Sequence, residues 1–291
     1  MPGLPPFPIP AEEVVVEIRS DPRRPGGRLV LQDGVESSYV DVLDPTHLEF
    51  EYLRHLARVL DTLHPKRSPM AFLQIGGGPC ALARYLDATR RDLRAVVAER
   101  DPVVVDIARE WLGLETSARL AVRVADGREV LAATAPGSLD VLVVDAFSGV
   151  MVPHHLVTGE FVATARQALR PDGLHVVNMI DIPPLEYAAA IVATLREHYG
   201  GVIALTDRET AERRSSGNVV MVASDRPLGE GRLARFARLD PQPWDVITGR
   251  QLDALAGDAA PLRDDVPPAH ALAMLGVLWG RSRAARVGGR A

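Results

Sequence analysis

The sequence predicts an α/β fold with a seven-stranded, mostly parallel sheet and a small antiparallel β unit at its N-terminus. Three observations carry that prediction. The first is Ala71-Phe-Leu-Gln-Ile-Gly-Gly-Gly78, an apolar strand that runs directly into three glycines. Glycine alone tolerates the positive φ of such a turn and leaves no Cβ in a ligand's way. The second is Glu99, an acid at the end of the next apolar stretch, placed to accept hydrogen bonds from the two hydroxyls of a ribose. The third is the alternation of apolar strands with amphipathic helices from Ala71 to Ala223, which implies a sheet covered on both faces. Together they describe a Rossmann-like domain that holds a nucleoside across its first two strands.

The elements follow in order. Residues 1–12 are Pro-rich and read as an extended arm. Glu13–Ile18, Arg28–Gln32 and Glu36–Val42 are predicted strands, with a hairpin signal at Asp33-Gly34. This N-terminal unit, residues 1–45, is too small to be stable alone. Thr46–Leu63 has apolar residues at helical spacing and is stopped by Pro65 and Pro69. The nucleotide-binding domain, residues 46–225, then carries strands at Ala71–Ile75, Ala95–Ala98, Leu120–Val124, Leu139–Val144, Gly173–Met179, Val202–Thr206 and Asn218–Ala223. Helices are predicted between them at Ala81–Asp87, Pro102–Leu112, Arg128–Ala133, Gly159–Leu169 and Leu185–Tyr199. Residues 226–291 read as a helical extension, with short helices at Gly231–Arg238 and Pro267–Leu278 and a frayed tail from Arg281. The apolar run Ala269–Leu278 suits either a core or a dimer face.

Composition narrows the function. With 47% hydrophobic and 24% charged residues among 291, the chain is globular rather than disordered. A formal charge of −5 argues against a nucleic-acid-binding surface. Cys80 is the single cysteine, so neither an internal disulfide nor a cysteine-based zinc site is possible. The N-terminus lacks the pattern of a signal peptide, and Ala269–Trp279 is too short to span a bilayer, so the expectation is a cytoplasmic protein without membrane association.

The glycine run Gly76-Gly77-Gly78 departs from the dinucleotide fingerprint, because Ala81 stands where a third spaced glycine belongs. It resembles the loop of class I S-adenosylmethionine-dependent transferases, with Cys80 as a small packing residue. Asp126-Gly127 follows the third strand; the carboxylate suits the exocyclic amino group of adenine, or simply caps the next helix. Asp145 ends the fourth strand, at the crevice where α/β folds place ligands, and reads as a general base, an anchor for a cationic substrate, or an N-cap. Asp181 ends the fifth strand and could reach the same crevice, and it and Ser148, three residues after Asp145, are candidate substrate-binding residues. His154 and His155 are adjacent on a loop, so their rings point apart and no metal site is expected. Asp264-Asp265 could fold back over the site or cap a following helix.

These residues carry a family resemblance. Asp33-Gly34 with Tyr39, His47-Leu-Glu-Phe-Glu-Tyr52, Gln74-Ile-Gly-Gly-Gly78, Glu99-Arg-Asp101, Asp126-Gly127 and Val144-Asp-Ala-Phe-Ser-Gly149 resemble the polyamine aminopropyltransferases, in particular their divergent spermidine synthase-like bacterial branch. Val152–Thr158 and Leu262–Asp265 fit the same branch. The resemblance implies decarboxylated S-adenosylmethionine as donor, an amine as acceptor, no metal, and a possible homodimer. It assigns Glu99 to ribose, Asp126 to adenine, Asp145 to the base and Tyr52 to the acceptor cavity. Four positions depart from the family pattern. Pro79 stands for the acid after the glycines, Ser148 for a second acid beyond Asp145, Leu53-Arg54 for His-Glu, and Ser37 for a glutamine. The missing acids would have neutralised cationic amines, and Pro79 removes a charge that would repel the carboxylate of S-adenosylmethionine itself. Three readings therefore remain: alkyl transfer to an amine, methyl transfer from S-adenosylmethionine, and a non-catalytic nucleotide-binding or assembly protein.

Overall fold

The computed structural model describes residues 3–266. The helix expected at Pro267–Leu278 and the tail from Arg281 lie outside the described residues.

The N-terminal unit is a four-stranded antiparallel sheet in the order β1 (Ile9–Pro10), β2 (Val15–Ser20), β3 (Gly27–Gln32) and β4 (Val35–Asp41). Part of the expected arm is thus a strand, Ile9 and Pro10 pairing with Val16 and Val15. The β3–β4 hairpin turns on Asp33 (φ 51°) and Gly34 (φ 82°), two consecutive left-handed residues that match strand twist. Helix α1 (Glu51–Leu63) begins five residues later than its apolar spacing predicts. The Asp44 carboxylate holds the Thr46 amide at 3.1 Å and its hydroxyl at 2.6 Å, a local turn that competes with helix at this point.

The large domain alternates as predicted: β5 (Met70–Ile75), α2 (Ala81–Thr89), β6 (Leu93–Glu99), α3 (Pro102–Glu110), β7 (Leu120–Val124), α4 (Gly127–Ala132), β8 (Leu139–Val144), α5 (Gly159–Ala168), β9 (Leu169–Asp181), α6 (Glu186–Arg196) and β10 (Gly201–Asp207). It continues with α7 (Arg208–Ala211), β11 (Gly217–Ser224), α8 (Glu230–Leu239), β12 (Trp244–Ile247) and α9 (Gly249–Ala256). All seven predicted strands are present, but the sheet has eight, in the order β12-β10-β11-β9-β8-β5-β6-β7. The added strand, β12, pairs antiparallel with β10 at the sheet edge, Ala204 opposite Ile247. The region after Asp225 is therefore not purely helical. β11 and β12 run against the other six strands.

Alternation along each strand divides the apolar side chains between two layers. Val141 and Val143 of β8 pack with α1, α2, α8 and the N-terminal sheet, whereas Leu142 and Val144 pack with α4, α5, α6 and α9. Each such side chain, fully buried, contributes about 1.5–3 kcal/mol. The chain moves outward from β5 through β6 to β7, then returns to place β8 on the other side of β5. That reversal opens a crevice at the carboxyl ends of β5 and β8, where ligands bind in this class of sheet. The Asp145 amide donates to the Ile75 carbonyl at 2.8 Å there, setting the base candidate beside the first glycine.

Candidate active site

A cleft of about 1520 Å³ runs from the glycine loop to the inner face of the N-terminal sheet. The large domain supplies one end and β3, β4 and α1 the other, so the site needs both units.

At the first end, Gly76, Gly77 and Gly78 have φ values of 74°, 140° and 44°. A Cβ on Gly76 would lie 2.5 Å from both the Asp145 carbonyl and the Ala146 Cα, so this glycine is what lets the β5 and β8 loops touch. Gly78 faces open space, where a ligand can approach its backbone. Its amide donates to Glu99 Oε2 at 3.3 Å, and the Asp101 amide to Oε1 at 3.2 Å. Burial raises the Glu99 pKa, and these amides work against that shift. The acid is thereby fixed beside the glycine loop. Asp126 caps α4 through Oδ1, accepting from the Arg128 amide at 2.8 Å, and its Oδ2 lies 3.0 Å from His155 Nε2. Burial works against its ionisation, but the His155 and Arg128 bonds prevail and hold its pKa below the ordinary value. Gly127 is the next residue, and a Cβ there would fall 2.0 Å from Ile75 Cγ2, so it lets α4 start close against β5. The helix-cap reading of Asp126 is correct for one oxygen, while the residue as a whole lines the cleft.

Asp145 sits between the two ends. It is 7% exposed, and burial pushes its pKa up to about 6, with a hydrogen bond from Asn178 Nδ2 at 2.8 Å opposing the rise. Such a carboxylate is ionised at neutral pH yet close enough to its midpoint to take up a proton. Tyr52 lines the cleft from α1; burial first, and the charge of Asp145 second, raise its pKa well above the usual phenol value. Glu51 and Arg54 line the same end. The Arg54 guanidinium donates to the carbonyls of Leu48 and Glu49 and to Gln242 Oε1, so backbone oxygens and an amide hold it rather than a carboxylate.

Two predicted substrate residues are placed elsewhere. Asp181 is 2% exposed and accepts from the Ile182 and Ala188 amides, each at 2.8 Å, which spends both oxygens at the start of α6 instead of on the cleft wall. Ser148 is exposed, and its backbone bonds to Met151 within the loop after β8, outside the cleft wall. Pro79, Ser37 and Arg54 do line the cleft, so three of the four departures from the family pattern bear directly on it. Cys80 is buried with its thiol pKa pushed up to about 12 by burial, consistent with packing rather than reactivity. His154 and His155 point apart, to the Arg263 carbonyl and to Asp126. Asp264 returns to the rim of the site without entering it: it pairs with Arg128 at 2.6 Å and accepts from Thr158 at 2.7 Å. Among the described residues no helix is long and apolar enough to cross a membrane.

Sequence reasoning missed Asn178, Asn218, Glu51 as part of the cleft, and the His155 contact to Asp126. Asn178 had a visible signal, a carboxamide inside the apolar run Val176-Val177-Asn178-Met179, where an unpaired polar group is costly.

Residues 47–204 match the spermine/spermidine synthase domain. The chain belongs to the spermine/spermidine synthase family. Within that family, it is 33% identical over 234 residues to the polyamine aminopropyltransferase of Vibrio vulnificus, covering 77% of this chain and 75% of that protein. It is 29% identical to the polyamine aminopropyltransferase of Chromobacterium violaceum over 170 residues, which is 58% of this chain and 64% of that enzyme's length. A probable spermidine synthase from Corynebacterium glutamicum superposes with a TM-score of 0.84 at 28% identity, covering 92% of this chain and 98% of that one. Human methyltransferase-like protein 13, solved with S-adenosylhomocysteine, shares the fold alone, with a TM-score of 0.54 at 21% identity and coverage of 67% of this chain and 96% of that one. The family's transferase character and the class I methyltransferase-like sheet thus agree with the resemblance carried by the sequence motifs.

Proposed function

We propose that this chain transfers an aminopropyl group from decarboxylated S-adenosylmethionine to a primary amine. The observation that carries this reading is the position of Asp145: a buried carboxylate with Tyr52 across from it, between a nucleoside-binding end and an end walled by the N-terminal sheet. Glu99 accepts from the ribose hydroxyls and Asp126 from the adenine amino group, with the glycine loop admitting the donor's backbone approach. Asp145 takes the proton from the acceptor amine as its nitrogen attacks the carbon beside the sulfonium. The N–C bond forms, the C–S bond breaks, and its electron pair stays on sulfur. The sulfonium is its own leaving group, so the chain's tasks are alignment and proton removal.

The acceptor is a less strongly cationic amine than a long polyamine. Pro79 and Arg54 line the cleft at places where the family pattern has acids, and an unpaired desolvated ammonium loses on the order of 2–5 kcal/mol. Pro79 also favours a second reading, methyl transfer from S-adenosylmethionine, because it removes the acid that would repel that donor's carboxylate.

Calorimetric titration with both donors, paired with mass-spectrometric product analysis over a panel of mono- and diamines, tests the proposal. Tighter binding of the decarboxylated donor and a mass increase of one aminopropyl group support it. Preference for S-adenosylmethionine with a methyl-sized increase replaces it with the second reading. Binding of neither donor overturns both in favour of a non-catalytic role.

A further inference from the structure

Asp145 has one side-chain hydrogen bond among the described residues, and that bond leads into a chain. Asn178 Nδ2 donates to Asp145 Oδ1 at 2.8 Å, and Asn218 Nδ2 donates to Asn178 Oδ1 at 3.1 Å. The two asparagines come from neighbouring antiparallel strands, β9 and β11, in which Val220 stands opposite Asn178 and Asn218 opposite Ile180. Asn178 is fully buried, whereas Asn218 is half-buried on the cleft wall. The Asn218 carbonyl in turn accepts from Thr206 Oγ1 at 2.7 Å, which anchors this end of β11 to β10.

The polarity of this chain follows from its first member. An ionised carboxylate only accepts, so Asn178 must turn its NH2 towards Asp145 and its oxygen away. The oxygen then needs a donor, and Asn218 supplies one. A buried asparagine without that partner could rotate and offer Asp145 its oxygen, which favours the protonated acid instead.

We infer that Asn178 and Asn218 form a positioning relay that fixes one oxygen of Asp145, keeps the carboxylate ionised, and leaves the other oxygen for the acceptor amine. This deepens the aminopropyltransferase reading, since it rests on Asp145 being the base. Neither asparagine touches the reacting atoms; both act through Asp145. The group whose titration couples to Asp145 is Tyr52 from α1. The neighbours hydrogen-bonded to Asp145 from β5 and β9, Ile75 and Asn178, and the next member from β11, Asn218, carry no charge. The relay is therefore the local device that opposes burial.

The test is a carboxyl-carbon NMR titration of aspartate-labelled full-length protein, with the Asp145 resonance identified by its loss in Asp145→Asn. Asn178→Leu moves the Asp145 midpoint up by about one pH unit or more, about a tenfold fall in the ratio of ionised to protonated carboxyl at a given pH. Asn218→Leu moves it in the same direction by less. An unmoved midpoint in Asn178→Leu that still binds the donor overturns the relay. Because Asn178 is buried, its variant could fail to fold; the half-buried Asn218 then carries the test alone, and an unmoved midpoint there overturns the inference equally. Turnover separates this from the reading beneath it: if Asp145→Asn keeps full activity, the base assignment fails whatever the midpoints do.

Discussion

Asp145→Asn stabilises the protein at alkaline pH while abolishing turnover. The magnitude comes from burial. Asp145 is raised from 3.8 to about 6, a rise of about two pH units, and each unit corresponds to 1.36 kcal/mol. Native protein holds this proton up to pH 6, whereas the unfolded chain gives it up near pH 4. The unfolded state therefore binds fewer protons between those values, and wild-type stability falls as pH rises through that window. Above it the loss is complete, on the order of 3 kcal/mol. The variant carries no such group, and its carboxamide oxygen still accepts from Asn178 Nδ2. Urea denaturation of both proteins at pH 8 and at pH 4 measures the effect. A gain of about 3 kcal/mol at pH 8 that shrinks towards zero at pH 4 is expected. A variant no more stable than wild type at pH 8, or one with the same gain at both pH values, refutes the burial argument.

Three further outcomes follow from the same geometry. Glu99→Ala weakens donor binding by ten- to a hundredfold in calorimetry, with the melting temperature little changed; unchanged affinity removes Glu99 from the ribose site. Gly76→Ala must place a Cβ 2.5 Å from backbone atoms of Asp145 and Ala146 at a φ of 74°, so it costs about 1–3 kcal/mol in denaturation and loses donor binding. Arg128→Ala breaks the pair that holds Asp264, whose pKa is depressed to about 2 chiefly by that bond. Limited proteolysis then cuts after residue 256 faster than in wild type, and an unchanged rate shows that Arg128 does not pin this segment.

Strands were legible in the sequence where they are buried on both faces. β5, β6, β8, β10 and β11 are near-continuous apolar runs bounded by Gly, Pro or Asp. β12 escaped notice because an edge strand pairs on one side only. Trp-Asp-Val-Ile after Pro241-Gln-Pro243 carries two prolines and a charge beside a short run, which reads as loop. The site divided in the same way. Glu99, Asp126 and Asp145 are acids at strand ends, and each lines the cleft. Asp181 has an identical local pattern, yet the amides of Ile182 and Ala188 capture both its oxygens. What separates Asp145 from Asp181 is the turn that follows the strand, and strand-end spacing does not encode that. The Asn178–Asn218 contact joins residues 40 apart whose proximity depends on β9 and β11 pairing in this register.

The two sheets of this protein are assembled differently. Every strand from β5 to β12 belongs to one hydrogen-bonded sheet, while β1 to β4 form another. Beyond apolar packing, the small sheet is joined to the large one by contacts such as Glu12 N to Asp101 Oδ2 at 2.8 Å, spanning 89 residues, and an ion pair between Glu13 and Arg100. Those contacts land on the turn just after Glu99. These polar contacts of the small sheet thus form only once β6 and the start of α3 are in place. On the proposed function, Glu99, Asp126 and the glycine loop place the donor's nucleoside on the large sheet alone, and the acceptor end is completed only when the N-terminal hairpins settle onto it. By the same proposal, a chain caught midway through folding would bind the donor without being able to use it.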